Sequence, residues 1–196
     1  MEEDEIKPNI RLLLIGGSAG SLEVLMQLLP KLKAALSFSI AIVLHRKSAE
    51  DQTLEDLIAV KTKMPVMEVE DKVALLPGHL YIAPSDYHLL FEKNGLVSLD
   101  ISEKVNYSRP SLDVTFESAA DAFGAQTAAL LLSGANADGT AGLKAIKNTG
   151  GLVAVQNPET AEMPFMPQNA IQNITPNFIL NVNEMVAFIT SLGENQ

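Results

Sequence analysis

Three side chains of the kinds that carry out acyl transfer each follow an apolar run of this chain. Ser18 stands in a glycine-rich turn after the first run, His45 ends the second, and Asp138 follows the third through a short polar turn. In acyl transfer a histidine takes the serine proton, while an aspartate fixes the imidazole tautomer and stabilises its charged form. The chain order Ser, His, Asp differs from that of α/β-hydrolases, but the geometry recurs on unrelated chain orders. The three runs are 12–15, 38–44 and 128–132.

The turn around Ser18 has the form expected of a nucleophile. Gly16, Ser18 and Gly20 lie between a strand pattern and a helix pattern. A serine at such a sharp turn is lifted to the edge of a sheet, where the new helix offers free N–H donors to an oxyanion. A phosphate-binding turn or a plain strand-to-helix corner is the alternative. Against a nucleotide site, the G-x-G-x-x-G spacing is missing after the first strand.

His45 and Asp138 also have structural alternatives. Asp138 precedes Gly139 and a helix pattern, so it is also a candidate N-cap. His45 is also a candidate strand-end histidine that is bonded to backbone. The other two histidines of the chain are His79, in a turn, and His88, inside a strand pattern. Neither follows an apolar parallel strand, so His45 is the preferred general base.

Apolar periodicity and turn residues predict alternating strands and helices. The pair Asn94-Gly95 predicts a hairpin between two short strands. The fold class is therefore α/β: a doubly wound, mostly parallel sheet between helices, with an added antiparallel hairpin. The predicted strands are 12–15, 38–44, 65–69, 80–83, 87–91, 96–100, 127–132, 152–155 and 178–180. The predicted helices are 22–36, 51–62, 111–123, 139–148, 168–172 and 183–192.

Composition narrows the classes of function. With 196 residues we expect a single domain over 1–196, and the net charge of −10 argues against nucleic acid and anionic membranes as partners. The lack of cysteine excludes disulfides, a thiolate nucleophile and a cysteine-based zinc site. The acidic start is unlike a secretory signal, and no apolar run approaches the ~18 residues of a membrane span. We expect a cytoplasmic protein without metal or cofactor.

Several segments resemble the catalytic domain of CheB-type protein-glutamate methylesterases from bacterial chemotaxis. They follow the family's order and cover nearly the whole chain. The resemblance implies a serine esterase that removes methyl groups from glutamate γ-methyl esters on chemoreceptor signalling helices, and in many members also deamidates receptor glutamines. The segments are 15–21, the strand ending at His45, 78–84, 109–114, 133–139, and 156–161 followed by Met166-Pro167.

The same resemblance implies roles for individual residues. Ser18 corresponds to the nucleophile, His45 to the general base and acid, and Asp138 to the orienting carboxylate. The backbone N–H of Ala135 corresponds to an oxyanion donor, and the N–H of Ala19, directly after the nucleophile, is expected to be the second.

The chain also departs from the family pattern in the loops of this site. Ala135 replaces methionine, and Ala19 stands where threonine is frequent. Ser21 and Asn136 each replace glycine. A backbone donor survives a change of side chain, so all three catalytic residues and the oxyanion donor remain. A catalytically weak or silent receptor-binding module of the same fold is the alternative.

The expected partners are the cytoplasmic helices of methyl-accepting chemoreceptors. Well-known members carry a receiver domain ahead of the esterase, whereas about ten residues precede the first strand here. We therefore expect regulation through a separate response regulator or kinase. Because receptor helices are rich in glutamate, an acidic esterase needs a local positive surface, for which Arg46, Lys47 and Arg109 are candidates. Asn136 is a further substrate-binding candidate. Ordinary solvated cations are the alternative for the three basic residues.

Overall fold

The structure, a computed structural model, describes residues 9–46 and 51–194. Strands and helices alternate along most of these residues, as predicted. The strands are β1 (Leu12–Gly17), β2 (Ser39–Leu44), β3 (Val66–Glu68), β4 (Leu80–Ile82), β5 (His88–Phe91), β6 (Val97–Asp100), β7 (Thr127–Leu131), β8 (Leu152–Gln156) and β9 (Phe178–Leu180). The helices are α1 (Ser21–Leu28), α2 (Asp51–Ala59), α3 (Leu112–Phe123), α4 (Thr140–Asn148), α5 (Phe165–Asn173) and α6 (Val182–Leu192).

Seven strands form one parallel sheet in the order β3-β4-β2-β1-β7-β8-β9. The strands β2, β4 and β3 lie on one side of β1, and the later strands β7, β8 and β9 lie on the other side. β1 is therefore the point at which the strand order reverses, and ligands of open α/β sheets bind at the carboxyl end of such a point. The predicted doubly wound, mostly parallel sheet is confirmed.

Each face of the sheet is covered by its own apolar cluster. Successive residues of a strand point to opposite faces, so Leu13 and Ile15 pack with α1, α2 and α6. Leu12 and Leu14 pack instead with α3, α4, α5 and the β5–β6 hairpin. Burial on both faces explains why β1 reads as a continuous apolar run.

The predicted antiparallel hairpin is present as β5 and β6. These strands form a separate two-stranded sheet, which packs on the face that α3 covers. Val97 of β6 also exchanges backbone hydrogen bonds with Lys72 and Val73. The hairpin therefore lies on the main sheet and does not extend its edge.

Three helices depart by three residues or more from their predicted bounds, and a proline explains two of the differences. The helix expected over 51–62 ends at Ala59. The helix expected over 22–36 ends at Leu28 and continues only as a 3-10 turn that contains Pro30, which lacks the N–H that an α-helix needs. The helix expected over 168–172 begins already at Phe165, because Pro167 lies in its first turn, where no partner for its N–H is required. Within the described ranges, no helix is long and apolar enough to cross a membrane.

Candidate active site

Ser18 and His45 are neighbours because the strands that carry them are neighbours. In the β1–β2 ladder Gly17 is paired with Leu44, so the next residue of each strand lies at the same carboxyl edge. The N–H of His45 donates to the carbonyl of Gly17 at 3.2 Å. The first two candidate residues therefore meet at the point where the strand order reverses.

The turn that carries Ser18 is held by a second strand and by a serine side chain. The N–H of Ser18 donates to the carbonyl of Ser133 at 2.8 Å and lies 3.1 Å from Ser21 Oγ. Ser21 Oγ itself donates to the carbonyl of Ser133 at 2.7 Å. A Cβ at Gly17 would lie 2.0 Å from Ser21 Oγ, so only glycine fits there. Ser21, which departs from the family pattern, thus ties the nucleophile turn to the end of β7.

Two exposed residues flank Ser18 with free backbone donors. Ala19 and Ala135 are exposed, and their N–H groups make no hydrogen bond to any residue that the structure describes. The Ala135 loop lies against the serine, since a Cβ on Gly134 would be 3.1 Å from Ser18 Cβ and 2.5 Å from Met166 Cε. The close approach needs glycine at position 134. Unpaired N–H groups beside a nucleophile are the arrangement that stabilises an oxyanion.

His45 contacts the buried carboxylate of Asp138. His45 Nε2 lies 2.7 Å from Asp138 Oδ2, and Asp138 is fully buried. The carboxylate also accepts hydrogen bonds from Asn106 Nδ2, Ser111 Oγ, and the backbone N–H groups of Leu112 and Asp113, at 2.6 to 3.1 Å. Burial acts to raise the pKa of Asp138, but these hydrogen bonds, led by that of His45, outweigh it and lower the pKa to about 2. Asp138 is therefore ionised at neutral pH and fixes the N–H of the neutral imidazole on Nε2.

Asn136 contacts the other nitrogen of the same imidazole. Its Oδ1 accepts the N–H of Asp138 at 3.0 Å, which turns its Nδ2 towards His45 Nδ1 at 3.5 Å. Among the residues that the structure describes, no hydrogen bond joins Ser18 Oγ to His45. Because Nε2 is taken by Asp138, Nδ1 is the nitrogen left to accept a serine proton.

The structure gives the two arginine candidates internal partners. The Arg46 side chain is 5% exposed and donates to Glu68 Oε2 at 3.2 Å and to the carbonyl of Ala83 at 2.9 Å. Arg109 Nη1 donates to the carbonyls of Ile101 and Ser102. The Arg46 guanidinium is therefore buried, whereas Arg109 is half-buried and bonds to a neighbouring segment. Lys47 lies outside the described residues.

The rival histidines occupy structural positions. His88 is fully buried and accepts the N–H of Ser111 at Nδ1, so its Nε2–H donates to the carbonyl of Glu103. His79 lies with Nδ1 3.0 Å from the carbonyl of Pro77, in the turn that leads into β4 at the opposite, amino end of the sheet. Both therefore lack the position of a general base next to Ser18.

Asn106 and Asp113 belong to the site although the sequence did not single out either. Asn106 Nδ2 bridges the two carboxylates, at 2.9 Å to Asp138 Oδ1 and 2.8 Å to Asp113 Oδ2. Burial raises the pKa of Asp113, and the charge of Asp138 raises it further against the opposing N–H of Gly142. An acidic residue in the first turn of a predicted helix is a recognisable capping signal, but nothing in the local pattern marks Asn106.

Known proteins similar to this chain show its family and agree with its fold. A model of the CheB methylesterase family matches residues 13–189. A Leptospira interrogans protein named for protein-glutamate methylesterase and protein-glutamine glutaminase activity is 38% identical over 191 residues, which are 95% of this chain and 97% of that protein. The chain belongs to the CheB methylesterase family.

Other members differ from this chain in length. A Carboxydothermus hydrogenoformans protein-glutamate methylesterase/protein-glutamine glutaminase is 36% identical over 82% of this chain, which spans about half (49%) of that relative. The crystal structure of the Thermotoga maritima CheB methylesterase catalytic domain superposes with a TM-score of 0.89 at 31% identity, covering 93% of this chain and 98% of that one. The match to a catalytic domain confirms the predicted family resemblance and fold.

Proposed function

We propose that this chain is a serine esterase that hydrolyses glutamate γ-methyl esters on the signalling helices of methyl-accepting chemoreceptors and releases methanol. The observation that carries the proposal is the meeting of Ser18, His45 and Asp138 at the ends of the adjacent strands β1, β2 and β7, with His45 Nε2 2.7 Å from the buried Asp138 carboxylate. Such a substrate implies that the protein acts in the cytoplasm.

The arrangement supports a two-step mechanism. Ser18 Oγ attacks the ester carbonyl while His45 Nδ1 accepts the hydroxyl proton, and Asp138 stabilises the imidazolium that forms. The N–H groups of Ala19 and Ala135 donate to the developing oxyanion. His45 returns the proton to the departing methoxy group, so methanol leaves and an acyl-enzyme remains. Water, deprotonated by His45, then releases the glutamate carboxylate and restores Ser18.

The same steps act on a primary amide. With glutamine as substrate the leaving group is ammonia, and the acyl-enzyme is identical. We therefore propose glutamine deamidation as a second activity of the same three residues. We also propose that a separate response regulator or kinase regulates the protein.

The deciding experiment compares methanol release from a methyl-esterified receptor signalling domain by the wild type and by Ser18→Ala. Release that disappears in Ser18→Ala supports the esterase and its nucleophile together. Ser191→Ala is the matched control, because Ser191 is an exposed serine on α6 outside the site. Equal release by wild type and Ser18→Ala removes Ser18 from the mechanism.

A receptor-binding module without turnover is the second candidate. Its supporting observation is that the Asn136 amide lies 3.5 Å from His45 Nδ1, the nitrogen that has to accept the serine proton. Binding of the methylated receptor domain by a folded wild-type protein, with no methanol released, would favour this function.

A further inference from the structure

A two-residue turn beside the catalytic carboxylate carries an exposed aromatic side chain. Asn106 and Tyr107 have φ of 52° and 62°, and the flanking Val105 and Ser108 exchange both backbone hydrogen bonds, at 3.1 and 3.0 Å. Positive φ at both central residues, with this pairing, is the geometry of a type I′ turn. Tyr107 is 99% exposed.

Tyrosine is unfavourable at position 107 because of the backbone conformation there. The second central residue of a type I′ turn is most often glycine, because a Cβ is disfavoured at positive φ. Asn106 suits its own place, since asparagine tolerates this conformation. Burial of the Tyr107 side chain does not offset this conformational cost, because almost all of the side chain is exposed to solvent. Unfavourable conformations that persist in a folded protein cluster at functional sites.

The turn is also rigidly attached to the catalytic residues. Asn106 Nδ2 donates to both Asp138 and Asp113. The segment leading to the turn is held by Arg109, through the carbonyls of Ile101 and Ser102, and by His88, through the carbonyl of Glu103. The aromatic ring is thus presented beside the site on a support that needs little ordering when a partner binds.

We propose that Tyr107 is a docking residue for the protein substrate, whose ring receives an apolar side chain near the esterified glutamate. This inference rests on the proposed function. The chain carries a net charge of −10, and Arg46 and Arg109, the predicted positive contacts, have internal partners. Apolar contact does not suffer from the repulsion between two acidic proteins. Ile101 and Val105, 70% and 38% exposed, are further apolar side chains of the same segment. Tyrosine is enriched among residues that dominate protein interfaces.

The test uses Tyr107→Gly, a change that suits the turn. The urea midpoint of the variant is expected at or above that of the wild type, because glycine removes the strain. The ratio of kcat/KM on the methylated receptor domain to kcat/KM on a small glutamate γ-methyl ester is expected to fall about tenfold, as for a moderate interface hot spot. Tyr107→Phe is expected to keep the ratio. Tyr87→Ala is the matched control, since Tyr87 is a partly exposed tyrosine at the start of the hairpin.

A binding measurement distinguishes failure of this inference from failure of the proposed function. With Ser18→Ala as a background that cannot turn over, adding Tyr107→Gly is expected to raise the Kd for the receptor domain about tenfold. If the wild type releases no methanol but binding still depends on Tyr107, the docking inference stands and the esterase proposal fails. An unchanged ratio and Kd would overturn the inference. An equal fall on both substrates would also overturn it, because Tyr107 would then act through Asn106 on Asp138.

Discussion

Asp113 and Asp138 each cap the helix that belongs to the other. Asp138, just before α4, accepts the N–H groups of Leu112 at 2.6 Å and Asp113 at 3.1 Å, at the start of α3. Asp113, in the first turn of α3, accepts the N–H groups of Gly139 at 2.9 Å and Gly142 at 2.8 Å, at the start of α4. The exchange fixes the Asp138 carboxylate between two helix N-termini, where the helix dipoles favour negative charge.

Asp113→Ala is expected to lower the free energy of unfolding by about 1 kcal/mol, the usual cost of a lost helix cap. Burial of the Asp113 carboxylate, which raises its pKa, offsets part of the stability that the cap contributes in the wild type. Urea unfolding measures the change, and kcat should fall as well because the cap positions Gly139 next to Asp138. Asp121→Ala, an exposed aspartate on the same helix, is the control; an equal effect there would argue against the capping exchange.

The stability contributed by Asp138 is expected to disappear in acid. The pKa of its carboxyl lies at about 2 in the folded protein, against 3.8 for the free group. A lowered folded pKa contributes stability that is complete above about pH 4 and is lost as the pH falls towards 2. The urea midpoints of wild type and Asp138→Asn should therefore differ at about pH 7 and approach each other at about pH 3. A constant difference across this range would contradict the assignment.

His45→Ala is expected to reduce kcat about 10⁴-fold or more, as much as Ser18→Ala, with no further loss in the double variant. The reason is that both residues act in one proton transfer, so removing either removes the step. Steady-state methanol release by the three variants measures this. Additive losses would show that the two residues act in separate steps.

Asn136→Gly is expected to make Ser18 more reactive. The amide donates towards His45 Nδ1 at 3.5 Å and competes there with the Ser18 hydroxyl. Loss of one weak hydrogen bond corresponds to an increase of about threefold in the rate of inactivation by phenylmethanesulfonyl fluoride. Asn136→Asp is the contrast, because a carboxylate still accepts the N–H of Asp138 but would draw the imidazole proton to Nδ1 and slow the reaction. Slower inactivation of Asn136→Gly would show that the amide assists the general base.

The sequence alone determined the framework of this protein and predicted which three residues stand where its central strands end. Continuous apolar runs marked β1, β2 and β7, and because strands and turns are local features, Ser18, His45 and Asp138 could be placed at strand ends without coordinates. The family resemblance followed from the same segments. The N-cap interpretation of Asp138 was half right: the residue does cap a helix, but the helix is α3 and the same carboxylate also binds His45.

Only the tertiary structure decided how these groups are paired. His45 and Asp138 are 93 positions apart, and Asn106 lies 32 positions from Asp138, so no local pattern records which oxygen meets which donor. The same applies to Arg46, whose charge reads as solvated in the sequence but is buried against Glu68 and Ala83. Burial and hydrogen-bond partners depend on how distant elements pack, and packing also decides that Nε2 of His45 contacts Asp138 while Nδ1 lies next to Asn136.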